Sequence, residues 1–228
     1  MDTDLLRTRF TETRTRIASA ASKFGRTPDS VGLIAVGKSH PAQALRTVAA
    51  MGQRDFGENY LQEALPKLEA LADLELTWHF IGQLQSNKTR PVAEHFAWVH
   101  TLDRERIAIR LNEQRPFHAP PLNVCIQVRL ADEPGKGGVA PDELMGLASC
   151  VRQLPKLRLR GLMCIPPPSD TFEAQRAWFE RLASYRRELC EHGFEIDTLS
   201  MGMSDDLEAA IAAGATWVRI GTAIFGAR

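Results

Sequence analysis

The sequence predicts an α/β fold: a single (β/α)8 TIM barrel with an additional helix ahead of it. Three observations carry this expectation. Short apolar, β-branched and aromatic runs alternate with helical patterns from Val31 to Ile220, which implies parallel strands joined by right-handed crossovers. The alternation gives eight strand-helix units, the number at which a parallel sheet closes and leaves no edge. The chain of 228 residues, 44% of them hydrophobic, is long enough for one large core. A doubly wound open sheet is the structural competitor, with edge strands left to cover. Residues 1–228 are read as one domain, with the helix and a linker in 1–30 and the barrel in 31–228.

Taken in order, Leu6, Phe10, Ile17, Ala21 and Phe24 recur at helical spacing, with Gly25 as a stop and Pro28 beyond it. The run 33–38 is the first strand, and Pro41 opens a helix carrying Ala44, Leu45, Val48 and Ala49. A brief strand at 54–56 leads through Gly57-Glu58-Asn59-Tyr60 into a helix with Leu61, Leu65, Leu68 and Leu71 on one stripe. The third strand, 77–82, is aromatic and β-branched, and residues 83–88 enter the next helix. The fourth strand is 97–102, with Asp103 placed to cap its helix. The fifth, 122–128, ends in a loop whose Pro134-Gly135-Lys136-Gly137-Gly138 core reads as turns, before a helix from about Pro141 to Leu154. The sixth, 160–165, is stopped by Pro166-Pro167-Pro168 and followed by a long helix bearing Phe172, Trp178, Phe179, Leu182 and Leu189. The seventh and eighth are 195–200 and 216–220.

Lys and Arg number 28 and Asp and Glu 28, so no global field draws the chain to nucleic acid or an anionic membrane. The start, Met1-Asp2-Thr3-Asp4, lacks a signal profile and no apolar run reaches spanning length, so a cytoplasmic location is expected. Cys125, Cys150, Cys164 and Cys190 form no CxxC pair, and the six histidines show no ligand spacing. Reduced thiols and no metal site are the expectation.

In a parallel barrel, functional groups gather where the strands end. Lys38 closes an apolar run whose Ile34 and Val36 share its face. An ammonium set against such neighbours loses hydration, and the neutral amine able to attack a carbonyl is favoured. Snorkelling to the rim is the plainer alternative. After strand seven, Gly202 lets backbone approach a ligand and Ser204 is a natural N-cap, with Asp205 and Asp206 turned to solvent. After strand eight, Gly221 and Thr222 offer amides and a hydroxyl to an anion. Closure makes strands one and eight neighbours, so an amine and a phosphate cradle share one rim. That combination suggests pyridoxal 5′-phosphate. Arg219 alternates toward the barrel mouth, where it either faces a pyridine nitrogen, weakening the ring as an electron sink, or pairs with a neighbouring carboxylate.

Six blocks are recognisable: Ala35-Val36-Gly37-Lys38, the run Phe56 to Glu63, Trp78-His79-Phe80-Ile81-Gly82, Leu84-Gln85-Ser86-Asn87-Lys88, Arg160-Gly161-Leu162-Met163, and Leu199-Ser200-Met201-Gly202-Met203-Ser204. Together with the stretch from Val218 to Gly226, they resemble the pyridoxal phosphate homeostasis protein family over nearly the whole chain. The resemblance implies a barrel similar to the amino-terminal domain of alanine racemase, with Lys38 as the internal aldimine lysine. It also implies a phosphate site including Ser200, Ser204, Gly221 and Thr222, with Arg219 near the pyridine nitrogen and Asn59 close to the cofactor. Gly37 and Gln83 depart from the residues common at those positions. The implied role is a non-catalytic, monomeric carrier that maintains intracellular pyridoxal phosphate and serves apo-enzymes. Arg228 lies just past strand eight, so no second domain is expected, and only Tyr60 and Tyr185 exist as candidate opposing bases. The alternatives are a racemase-like or decarboxylase-like enzyme, and an interaction protein with a vestigial site.

Overall fold

Eight parallel strands close in sequence order in the computed structural model, which describes residues 3–132 and 137–226. They are β1 (Gly32–Val36), β2 (Asp55–Glu58), β3 (Thr77–Phe80), β4 (Trp98–Leu102), β5 (Leu122–Gln127), β6 (Leu157–Met163), β7 (Thr198–Ser200) and β8 (Trp217–Ile220). The seam is made by β1 against β8, in register from Gly32 opposite Trp217 to Ala35 opposite Ile220. The helices are α1 (Thr3–Lys23), α2 (Ala42–Ala50), α3 (Leu61–Ala70), α4 (Thr89–His95), α5 (Glu105–Gln114), α6 (Leu144–Arg152), α7 (Phe172–Glu191), α8 (Leu207–Ala212) and α9 (Thr222–Phe225). Among the described residues, no helix is long and apolar enough to cross a membrane.

Alternation along each strand divides the interior in two. Leu33, Ala35, Phe56, Phe80, Val99, Val124, Leu199 and Val218 belong to the large core between strands and helices. Ile34, Gly57, His79, Trp98, His100, Cys125, Met163, Ser200, Trp217 and Arg219 face the barrel axis, where Trp98, Cys125 and Met163 form a small separate cluster. Barrel interiors are usually filled by branched aliphatics. This one carries two histidines, a serine and an arginine.

The additional helix is integral. Leu6, Phe10, Ile17, Ala20 and Ala21 are buried, and α1 packs against α2, α8 and α9. Arg16 holds Glu208 at 2.5 and 2.6 Å and donates to the Ser204 carbonyl at 2.7 Å, tying α1 to the segment after β7. Gly25, at φ 71°, ends α1 as its position suggested.

Several local expectations are corrected. The strand β1 ends at Val36, so Lys38 lies in the following turn, and β7 starts at Thr198 rather than 195. Pairing stops where the neighbouring strand stops, which apolar patterning does not reveal. Asp103 does not cap α5: the N-cap is Arg104, without a side-chain cap, and the Asp103 carboxylate accepts the Gly138 amide. Ser204 does not cap α8: Asp206 is the N-cap, and its carboxylate takes the Met203 amide at 2.6 Å. On α3, Leu65 and Leu68 are half-buried while Lys67 is buried. Residues 83–88 form a loop and a 3-10 turn, Ser86–Lys88, before α4. Of the 131–138 loop, 133–136 lie outside the described residues, Pro134, Gly135 and Lys136 among them. Gly138 has φ 125°, a turn conformation.

Candidate functional site at the carboxyl ends of the strands

A cavity of about 500 Å³ opens at the carboxyl ends of β1, β2, β7 and β8. Its wall brings together Lys38, Asn59, Ser204, Arg219, Gly221 and Thr222, six of the seven residues singled out in the sequence. Val36, Ile81, Ile165 and Met203 add apolar surface.

The turn that presents Lys38 is clamped from three directions. The Gly37 amide donates to the Gly57 carbonyl at 2.9 Å, extending the β1–β2 ladder by one bond. The Gly37 carbonyl accepts Lys67 Nζ at 2.7 Å. Ser39 sits in the left-handed region at φ 64°, and its amide donates to Glu63 Oε2 at 2.7 Å. A non-glycine residue there carries roughly 1–2 kcal/mol of strain, which persists only where surroundings over-determine it. Lys38 is half-buried and has no hydrogen bond or ion pair among the described residues.

Behind the turn lies a buried ion pair. Glu58 is fully buried at the end of β2; Oε1 accepts Lys67 Nζ at 2.8 Å and Oε2 has no partner. Burial pushes its carboxyl up to about 7, an effect the Lys67 hydrogen bond only partly offsets. A Cβ at Gly37 would stand 2.6 Å from that carboxylate and 2.9 Å from Leu45, so the glycine lets the turn sit against the pair.

Asn59 follows β2. Its carbonyl approaches Gly82 so closely that any Cβ at 82 would overlap it, so that glycine fixes how near the two loops come. Asn59 Oδ1 is buried without a partner, an arrangement worth about 1–3 kcal/mol of penalty until a donor arrives. On the far side, Gly202 turns the chain after β7 at φ 96°. Ser204 Oγ accepts the Ala223 amide at 3.4 Å, joining the two loops. Gly221 precedes α9 and lies close to Val36, where a Cβ would meet the Val36 carbonyl at 3.3 Å. Asp205 is exposed at the cavity wall. Asp206 is half-buried on the Met203 amide rather than turned to solvent, and burial pushes its carboxyl up.

Arg219 is buried beneath the cavity, donating from Nη1 to Ser200 Oγ at 2.9 Å and from Nη2 to the Cys164 carbonyl at 3.0 Å. Among the described residues no carboxylate bonds it. Burial lowers its pKa, with Asp206 acting in the opposite direction. A guanidinium stays protonated across the accessible range and has N–H groups left to offer. A partnerless amine, an orphaned buried acceptor, hydroxyls and a fixed guanidinium around one void therefore suit a small anionic ligand with an electrophilic group in reach of the amine.

Residues 15–228 match the family model described as alanine racemase, N-terminal domain. The chain is 62% identical over 213 residues to the pyridoxal phosphate homeostasis protein of Pseudomonas aeruginosa, a match covering 93% of this chain and 91% of that one. The chain belongs to the pyridoxal phosphate homeostasis protein family. It is 53% identical over 220 residues to the family member of Escherichia coli K12, covering 95% of this chain and 94% of the other. Among solved structures it resembles PipY of Synechococcus elongatus PCC7942, described with PLP bound, at TM-score 0.83 and 42% identity, covering 92% of this chain and all of that one.

Within this homeostasis-family barrel, one residue falls elsewhere. Ser200 is fully buried below the cavity, with its hydroxyl between His100 Nδ1 at 2.8 Å and Arg219, and is not part of the cavity wall. It is the last residue of β7, still under strand alternation, and so points down the barrel axis rather than into the loop. Neither Tyr60 nor Tyr185 lines the cavity: Tyr60 is exposed on the adjoining groove, and the Tyr185 hydroxyl accepts from Arg181 Nε at 3.1 Å.

Glu58, Glu63 and Lys67 were not foreseen. A signal for Lys67 exists: it falls three residues after Ala64 and four before Leu71, both buried on the inward stripe of the α3 region, where a solvated lysine has no place. A second cavity, of about 510 Å³, lies at the opposite end of the barrel among Arg14, Gly32, Arg54, Asp55 and Trp217. Parallel barrels keep their chemistry at the carboxyl ends, so the Lys38 cavity is the candidate site.

Proposed function

We propose that this protein holds pyridoxal 5′-phosphate on Lys38 and maintains its intracellular supply, in the cytoplasm, without catalysis of its own. The observation that carries the reading is the partnerless, half-buried Lys38 amine facing the same void as Ser204, Gly221 and Thr222, above Arg219. Names of relatives above 50% identity and the PLP described with PipY support it. The cofactor, when bound, supplies an aldehyde that condenses with an amine, and a phosphate that anchors it.

The chain's own residues divide the work. Lys38 offers the amine, held in place by the clamp from Glu63 and Lys67. Ser204, Thr222 and the backbone at Gly221 would hold the phosphate. Arg219, fixed beneath the cavity, would offer an N–H to the pyridine nitrogen of a bound cofactor and so keep that nitrogen unprotonated, which weakens the ring as an electron sink. Asn59 would present to the cofactor an acceptor, Oδ1, that has no partner within the protein. Racemisation also needs an acid/base opposite the lysine. Here the titratable wall groups besides Lys38 and Arg219 are Arg16, His40 and Asp205, among the described residues. Arg16 is committed to Glu208, and the His40 ring stacks on Phe225 at 5.0 Å. An accessible cavity of this kind suits loading and delivery to apo-enzymes.

The racemase-like alternative is favoured by one observation, the match to the alanine racemase N-terminal domain. Incubating the cofactor-loaded protein with amino acids in deuterated water separates the readings: Cα exchange at useful turnover defeats the carrier role. Borohydride reduction should trap the cofactor on Lys38, and Lys38→Ala should abolish the adduct; survival of the adduct on Lys88 or Lys136 defeats the site.

A further inference from the structure

From Arg219 a line of polar side chains descends the barrel axis to the opposite end. Ser200 Oγ stands 2.9 Å from Arg219 Nη1 and 2.8 Å from His100 Nδ1. His100 Nε2 is 2.9 Å from His79 Nδ1, and His79 Nε2 is 3.0 Å from Asp55 Oδ1. Asp55 opens β2 at its amino-terminal end, and its side chain is 27% exposed in the wall of the second cavity. Both imidazoles are fully buried, stacked with Trp98.

Donor chemistry gives the line a single direction. A guanidinium only donates, so Ser200 Oγ accepts from Arg219; among the described residues His100 Nδ1 is the only acceptor within reach of the hydroxyl's own proton, which goes there. His100 then carries its proton on Nε2 and gives it to His79 Nδ1. His79 likewise carries its proton on Nε2 and gives it to the Asp55 carboxylate. Every link has one donor and one acceptor, and both rings are neutral. Protonating His79 would set N–H against N–H. Burial lowers the pKa of both histidines, that of His100 well below the usual imidazole range, with His79 and Arg219 adding to the effect. The line does not conduct protons, because shifting each proton one place would leave a neutral guanidinium.

We infer that Asp55, His79, His100 and Ser200 are positioning residues for Arg219: a one-way hydrogen-bond chain that fixes the guanidinium from below and carries the influence of the Asp55 charge from one barrel end to the other. The assignment rests on the cofactor reading for its functional consequence, since Arg219 is the group placed against the ring nitrogen. An aliphatic-like filler role would leave the ring's electronics indifferent to Asp55.

Two measurements test it. In the cofactor-free protein, long-range 1H–15N NMR at neutral pH should show both imidazoles neutral with the proton on Nε2; a charged ring, or a proton on Nδ1, overturns the chain. In the loaded protein, the pH dependence of the lysine-bound cofactor's absorbance should shift in Ser200→Ala and Asp55→Asn, and Ser200→Thr should return it toward the parent. For Asp55→Asn, which keeps an acceptor and removes only the charge, the shift expected is about half a pH unit, the size of one charge acting through a low-dielectric interior. Should Ser200→Ala fail to fold, the partly exposed Asp55→Asn still decides. Parent protein that never develops the absorbance overturns the cofactor reading, with the NMR measurement still deciding the chain. Parent absorbance with superimposable profiles in the variants overturns this inference and leaves that reading intact.

Discussion

Replacing Glu58 with Gln should flatten how the protein's stability varies with pH. Glu58 is 0% exposed and its carboxyl is raised by burial from the ordinary 4.5 to about 7. Between those values the folded chain holds a proton that the unfolded chain has released. Stability from this group is therefore fully present below pH 4.5 and is lost as pH rises through 7. A gap of about 2.5 units corresponds to roughly 3 kcal/mol at full extent, and about 2 to 3 kcal/mol should separate pH 5 from pH 8. The Glu58→Gln side chain keeps an oxygen for Lys67 Nζ, now at 2.8 Å, and places an amide where Oε2 has no partner. Urea unfolding at pH 5, 6, 7 and 8 on both proteins measures the effect. Parallel curves for parent and variant would show that Glu58 does not titrate in this window and that Lys67 compensates its burial completely.

Three further outcomes are expected. Asn59→Ala should leave the cofactor-free protein at least as stable as the parent, because it deletes a buried acceptor that has no partner, yet weaken cofactor binding about tenfold in a fluorescence titration. Equal losses in both would make Asn59 structural. Gly82→Ala should push the Asn59 loop away from its neighbour and impair cofactor loading, with the effect visible as lost borohydride-trapped adduct. Phe10→Ala, at a ring 1% exposed, should cost about 3–5 kcal/mol in urea unfolding of the whole barrel; a separate early transition for α1 would show that the helix is not part of the cooperative unit.

Much of the barrel could be read from the chain because each strand-helix unit advertises itself locally. The seam between β1 and β8 followed from closure, which placed Lys38 on the same rim as Gly221 and Thr222 although Lys38 and Gly221 are 183 positions apart. Element ends were harder, since Val36 and Thr198 are where neighbouring strands cease to pair. Ser200 lies outside the cavity wall because the last residue of a strand still alternates, here toward the axis, even where the strand's end is read correctly. The caps at Asp103 and Ser204 failed because a nearby oxygen is necessary but the direction of the chain decides which one reaches an amide. The Glu58–Lys67 pair and the His79–His100 contact depend on two elements being set side by side, and no periodicity within either announces that.

The grip of Arg16 on Glu208 and on the Ser204 carbonyl makes the leading helix a buttress for the mouth of the cavity. Shortening the chain at that end is thus no neutral trimming of a tail. It would unseat the arm of the rim that carries Ser204 and, in the same stroke, uncover the core face that Leu6, Phe10 and Ile17 fill, so mouth and wall lose their support together.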